Sequence, residues 1–288
     1  MVDYDIGRCY NYKIERVCMK KIYFFGCSVT AGNELYEEAH IPNYTSMTFQ
    51  EARKVLDRFS HDEIDAYQAT HSFPYLTAQK LGVEFENLAI SGISNVEIAA
   101  RAFTHFPEER YSDIVVIMQF TTHNRMFVKY KEEKNTKTVG SFVVHPQIID
   151  ERLSKKQDNL LKETFFEFGD ESVQSMHDHV YMYYAAETLR GKGIPTYILW
   201  PNRNIIKWGD WGHSDISKQT NFVNDKDPQF INNIGNHFVD RSVAFDILET
   251  PIHNIIPDNA YLPRYHYNQE AHNIIAVKLA EKLKCLNG

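Results

Sequence analysis

The chain has 288 residues, enough for one large α/β domain. Its 31 Lys+Arg against 38 Asp+Glu give a formal net charge of −7, the wrong sign for sequence-independent binding to nucleic acid or to anionic membranes. A composition of 43% hydrophobic and 24% charged residues with only 13 Gly and 10 Pro excludes a disordered or fibrous chain. No apolar run approaches the roughly 18 residues of a spanning helix, and the charged N-terminus has no signal-like apolar core. The cysteines Cys9, Cys18, Cys27 and Cys285 form no CxxC pair and no zinc ligand set, so the expectation is a cytoplasmic protein with reduced thiols and no metal.

Residues 1–18 read as an appendage to a single domain over 19–288. Ile22–Phe25 is a short apolar run closed by Gly26, the pattern of a fully buried strand. A polar segment follows, then a loose helical stripe over Met47–Phe59. A cleaner helix runs over Ser72–Leu81, with Ser72 as cap, Pro74 in the first turn and Gly82 as stop. Val83–Ile90 and Ile114–Phe120 read as the second and third strands. Between them Ser94 and Glu97 form a capping box that opens a helix through about Phe106. Residues 126–190 read as a largely helical insertion, with a possible hairpin at Val139–Val144 and helices over Leu153–Phe168 and Val173–Arg190. Pro195–Trp200 is a fourth strand, Val243–Leu248 a fifth, and Gln269–Leu283 an amphipathic helix. Strands alternating with helices predict an α/β fold with a mainly parallel sheet.

Open parallel sheets bind ligands beyond the carboxyl ends of their strands. The segments there are Gly26-Cys27-Ser28-Val29-Thr30, Ser91-Gly92-Ile93-Ser94-Asn95 and Thr121-Thr122-His123-Asn124-Arg125, with His266-Tyr267-Asn268-Gln269 near the C-terminus. A hydroxyl in a Gly-flanked turn, backbone donors at another turn, an amide and a late histidine are the parts of acyl-transfer chemistry.

In this order at these strand ends, the blocks resemble those of the SGNH (GDSL-type) hydrolases. The resemblance covers residues 20–125, 194–200 and 261–284 and implies a three-layer α/β/α, flavodoxin-like fold. It implies Ser28 as nucleophile, His266 as base, and an oxyanion site built from Gly92 with His123 or Asn124. The substrate class it implies is a small ester, with an acylated sugar favoured, and no cofactor. Three departures stand out: Cys27 replaces the aspartate usual beside the nucleophile, His123 falls where the third block's asparagine belongs with Asn124 one place later, and Pro263 stands three before His266, where the triad carboxylate belongs.

Asp258 in the Ile256–Ala260 loop is one candidate to orient His266, and a backbone carbonyl is the other. Ser28 could instead serve as a helix cap and Gly92 as a plain turn glycine. His272, inside the last helix, reads as a buried structural histidine, and His177-Asp178-His179 as a solvated helix face. Trp200, Trp208 and Trp211 follow the fourth strand, where they could stack on a sugar ring or pack their own loop. The expectation is a serine esterase with a Ser28–His266 site; the alternative is a catalytically degraded domain that binds glycans or a protein partner.

Overall fold

The computed structural model describes residues 19–55, 58–107, 111, 113–121, 125–131, 137–143, 155–156, 159–160, 171–200, 245–263 and 266–287. The strands are β1 (Lys21–Phe25), β2 (Glu84–Asn87), β3 (Ile114–Gln119), β4 (Arg125–Lys131), β5 (Lys137–Val143) and β6 (Thr196–Leu199). Four of them form an all-parallel sheet in the order β2-β1-β3-β6. Of the fifth strand expected at 243–248, residues 243–244 lie outside the described residues, and the described part makes a parallel bridge between Asp246 and Ile198 beside β6. With that bridge the spatial order is the flavodoxin-like one.

The helices are α1 (Ser28–Ala31), α2 (Leu35–His40), α3 (Phe49–Val55), α4 (His61–His71), α5 (Phe73–Leu81), α6 (Asn95–His105), α7 (Glu171–Gly191) and α8 (Gln269–Asn287). Side chains alternate across the sheet, as a parallel sheet covered on both faces requires. Ile22, Phe24, Val115, Ile117 and Leu199 pack with Phe73 of α5 and with Ala271, Ile275 and Leu279 of α8. Phe25, Val116, Met118, Phe120 and Ile198 pack with Ile98 and Ala102 of α6 and with Met182, Ala186 and Leu189 of α7. These are the three α/β/α layers.

Of the 126–190 stretch, the described part holds a hairpin and the helix expected at 173–190. Its first part is the antiparallel hairpin β4–β5, and α7 is one of the two helices that cover a sheet face. The appendage 1–18 lies outside the described residues, and the helix expected at 153–168 lies largely outside them. Helix α4 was not expected, because it buries none of its residues; a full capping box between Ser60 and Glu63 starts it.

Helix α5 starts at Ser72 and stops at left-handed Gly82, with Pro74 in its first turn. Its cap is not the Ser72 side chain. The Phe73 N–H donates to Nδ1 of His272 at 2.9 Å, and the two rings stack at 5.6 Å. A ring nitrogen that accepts from an amide carries no proton, so the His272 proton sits on Nε2. Burial, aided by nearby His266, pushes His272 down to about 3 from its ordinary 6.5.

Between those two values the unfolded chain binds a proton that the folded chain refuses, so stability drains away as pH falls from about 6.5 toward 3. Asp246, pushed up to about 6 chiefly by burial, works in the opposite direction between about 3.8 and 6. His272→Gln removes only the first contribution. Urea midpoints measured from pH 7 to pH 4 should therefore fall less steeply in His272→Gln than in the wild type. Equal slopes would show that His272 is protonated as readily folded as unfolded.

Candidate active site

The turn after β1 is built under steric constraint. A Cβ on Gly26 would lie 2.7 Å from Thr30 Cβ and 3.1 Å from Gln119 Cβ, so only glycine lets β1 enter the turn. Thr30 is held there by a hydrogen bond to Gln119 of β3. Cys27 occupies the N-cap position of α1 with no side-chain cap bond, and Ser28 is the first helical residue. The Ser28 hydroxyl is therefore not spent on capping. Ser28 is 3% exposed, not the surface residue that a strand-to-helix turn suggests.

Helix α1 ends at once: the N–H groups of Gly32 and Asn33 both donate to the Ser28 carbonyl, at 3.1 and 3.0 Å. Gly32 is left-handed at φ +85° and packs on Ser72, whose Cβ would be 2.9 Å from a Cβ on the glycine. The reversal places Glu34 six residues after Ser28 with no exposed surface. Its Oε2 lies 2.6 Å from Nδ1 of His266, the His266 N–H reaches the same oxygen at 3.3 Å, and the Tyr44 hydroxyl donates to Oε1 at 2.6 Å. The His266 N–H and the Tyr44 hydroxyl both donate to this carboxyl, the environment an ionised carboxylate requires. Nδ1 then carries the imidazole proton, which leaves Nε2 as the acceptor.

One turn further along α2, Glu38 accepts from the Gln269 N–H at 2.8 Å at the start of α8. Burial holds Glu38 above the ordinary carboxylate range; the Gln269 N–H opposes this, and the Glu34 charge adds to it. Glu34 and Glu38 thus clamp both ends of 266–269.

Asp258 is exposed on its turn, and the carboxylate at the His266 ring is that of Glu34. The 260–268 loop turns back on itself: the Leu262 N–H donates to the His266 carbonyl at 2.7 Å, and the Asn268 N–H to the Ala260 carbonyl at 2.8 Å. That pairing directs the Asp258 turn outward. His266 is brought to the segment that carries Ser28 by its bond to Glu34, six residues after Ser28. No hydrogen bond joins Ser28 to His266 among the described residues; such bonds are commonly long without substrate.

At the end of β2 the chain continues alongside β1, with Leu88 N–H on Phe24 C=O and Ile90 N–H on Gly26 C=O. Gly92 follows, left-handed at φ +84° with open space around it, and Asn33 Nδ2 donates to Ser91 Oγ at 3.0 Å across the two turns. Ser94 caps α6 by accepting from the Glu97 N–H. His123 and Asn124 lie outside the described residues, but the segment leading to them is anchored. Buried Asn95 donates to the Thr121 carbonyl (3.0 Å) and to Asp178 Oδ2 (2.9 Å), and accepts from the Thr121 N–H (2.7 Å).

Two expectations are corrected here. Asp178 and His179 are fully buried, not on a solvated face, because they precede Met182 and Tyr183 by one turn on the core stripe of α7. Trp200 is fully buried and stacks on Phe120 at 4.4 Å and on His179 at 5.0 Å, so it is core rather than a sugar platform. Trp208 and Trp211 lie outside the described residues. Among the described residues no helix is long and apolar enough to cross a membrane, and no group of three His, Cys, Asp or Glu side chains could hold a metal ion.

Neither a protein-family model nor a curated protein matches the sequence. Among solved structures the chain is similar to a Desulfitobacterium hafniense protein assigned to the G-D-S-L lipolytic family (9% identity, 91% of this chain and 99% of that one, TM-score 0.41). It is also similar to a Corynascus thermopiles carbohydrate esterase family 2 enzyme with its carbohydrate-binding domain (11% identity, 93% and 66%, TM-score 0.42). A third is an alpha/beta hydrolase enzyme from the metagenome of Lake Arreo, Spain (12% identity, 93% and 97%, TM-score 0.41). Likeness at this level says nothing about the chemistry of this chain, which is read from its own geometry.

Proton NMR distinguishes the two carboxylates directly. The His266 Nδ1 proton, held by a carboxylate at 2.6 Å, should resonate far downfield; it should persist in Asp258→Asn and vanish or move upfield in Glu34→Gln. Loss of the signal in Asp258→Asn alone would return Asp258 to the site.

Proposed function

We propose that the chain is a divergent SGNH-type ester hydrolase in which Ser28, His266 and Glu34 act together. Ser28 Oγ attacks the acyl carbonyl while His266 Nε2 takes its proton. The imidazolium that forms is stabilised by Glu34 across Nδ1. The same proton then passes to the leaving alcohol, and water repeats the sequence to free the enzyme. The N–H groups of Ser28 and Gly92, with a side chain from His123 or Asn124, take the charge that develops on the carbonyl oxygen.

The observation that carries this reading is the buried carboxylate on His266 Nδ1, supplied from the same turn as Ser28. It also weighs against a degraded, binding-only domain, whose two supports are the absent carboxylate before His266 and the altered block at 121–125. The substrate class is a small ester. An O-acetylated carbohydrate is the preferred member on the sequence resemblance alone, since Trp200 offers no ring to a sugar.

Hydrolysis of short-chain nitrophenyl esters, together with fluorophosphonate labelling, tests the proposal. Ser28→Ala should lose both turnover and labelling, with stability changed by no more than about 1 kcal/mol. Glu34→Gln should lower turnover by roughly 10⁴, the cost of neutralising the acid in the serine-protease template. Folded wild-type protein that is neither active nor labelled would instead favour the binding module, and full turnover by Ser28→Ala would exclude the mechanism.

A further inference from the structure

Glu34 holds its carboxylate in place from a backbone conformation that a non-glycine residue rarely adopts, φ +72°. Such a residue persists only where its surroundings over-determine it. His266 supplies part of that surrounding, and Tyr44 supplies another part.

Tyr44 opens a short 3-10 turn, Tyr44–Ser46, and is 1% exposed. The 2.6 Å from its hydroxyl to Glu34 Oε1 is the length of a charge-assisted O–H···O⁻ bond. Its ring belongs to a small third core with Ile41, Ala52, Val55 and Leu262, apart from the two sheet-face cores. Leu262 is also the residue whose N–H holds the His266 carbonyl. One side chain therefore fixes the carboxylate with its hydroxyl and shares a core with the loop that bears the histidine.

We infer that Tyr44 is a positioning residue for the Glu34–His266 pair: its hydroxyl fixes the plane of the Glu34 carboxylate so that Oε2 stays on Nδ1 while the ring gains and loses the Ser28 proton. This rests on the proposed roles of Ser28, His266 and Glu34. A packing role alone would be kept by phenylalanine, which fills the same space without the hydroxyl.

The test compares Tyr44→Phe, Glu34→Gln and Ser28→Ala on a nitrophenyl ester, with active sites counted by prolonged fluorophosphonate labelling so that partial unfolding is divided out. For Tyr44→Phe, kcat per labelled site should fall about ten- to hundredfold, the scale of one hydrogen bond to a charged group. KM should stay within about twofold, because the missing contact serves the reacting pair and not the bound ester. The His266 Nδ1 proton resonance should also move upfield. Wild-type kcat and an unmoved resonance in Tyr44→Phe, with Glu34→Gln and Ser28→Ala both impaired, would overturn the role of Tyr44 and leave the proposed function standing. Full turnover by Ser28→Ala would overturn both. If Tyr44→Phe does not fold, 3-fluorotyrosine at position 44 keeps the ring and makes the hydroxyl more acidic. A kcat displaced at unchanged KM then supports the inference, and an unchanged kcat overturns it.

Discussion

A carboxylate with no exposed surface must be surrounded by donors, and much of the chain around Glu34 is arranged to meet that requirement. Taking such an ion out of water costs several kcal/mol, recovered only if the geometry of its partners is good. Here the partners come from segments far apart in sequence: Tyr44 from the turn before α3, and the ring and N–H of His266 from a loop 232 residues away. Gly26 lets β1 run close under Thr30, and Gly32 reverses the chain tightly against Ser72. Both glycines serve the placement of Glu34 as much as that of Ser28. Removing one partner of a buried pair typically costs about 3–5 kcal/mol, so the pair also fastens the 260–268 loop to the carboxyl end of β1.

The two histidines flanking the start of α8 show how environment divides one residue type between tasks. His266 keeps some exposure and has a carboxylate on Nδ1; His272 is fully buried and has an amide donor on Nδ1. The amide donor and the apolar surroundings forbid a charged ring at His272. His272 joins α8 to α5 as a neutral cap, and the pair of helices it joins covers the sheet face beneath the site.

What could be read from the sequence follows from which signals are local. The strands at 22–25, 114–120 and 195–200 are apolar runs, and α5 and α6 carry their own start signals, so the parallel fold and its productive edge were legible. Helix α4 has no apolar stripe to reveal it, although Ser60 and Glu63 carry the same S-x-x-E signal that identified α6. The charge of Asp178 and His179 argues for solvent, but their register decides: with Met182, Tyr183, Ala186 and Leu189 they complete a buried stripe. Glu34 is illegible for a different reason: the carboxylate reaches His266 through a long-range contact from a left-handed residue that no periodicity announces. The one available clue was a carboxylate set between Gly32 and the apolar Leu35, just beyond the nucleophile turn.

In the proposed unit the acid follows the nucleophile by six residues, whereas the family pattern places it three before the base. A constellation of this kind is defined by geometry and not by chain order, but the order alters what is rigid. When acid and base share a loop, that loop can swing as a unit, changing the nucleophile–base distance while the acid–base bond is kept. Here nucleophile and acid share the turn after β1, whose ends are fixed by the sheet and by the packing of Gly32 on Ser72. The base is the separate part, and its 2.6 Å bond to Glu34 ties it to the segment that carries Ser28. This compensates for the missing carboxylate at 263 by a route that depends on the tertiary fold and on no local motif.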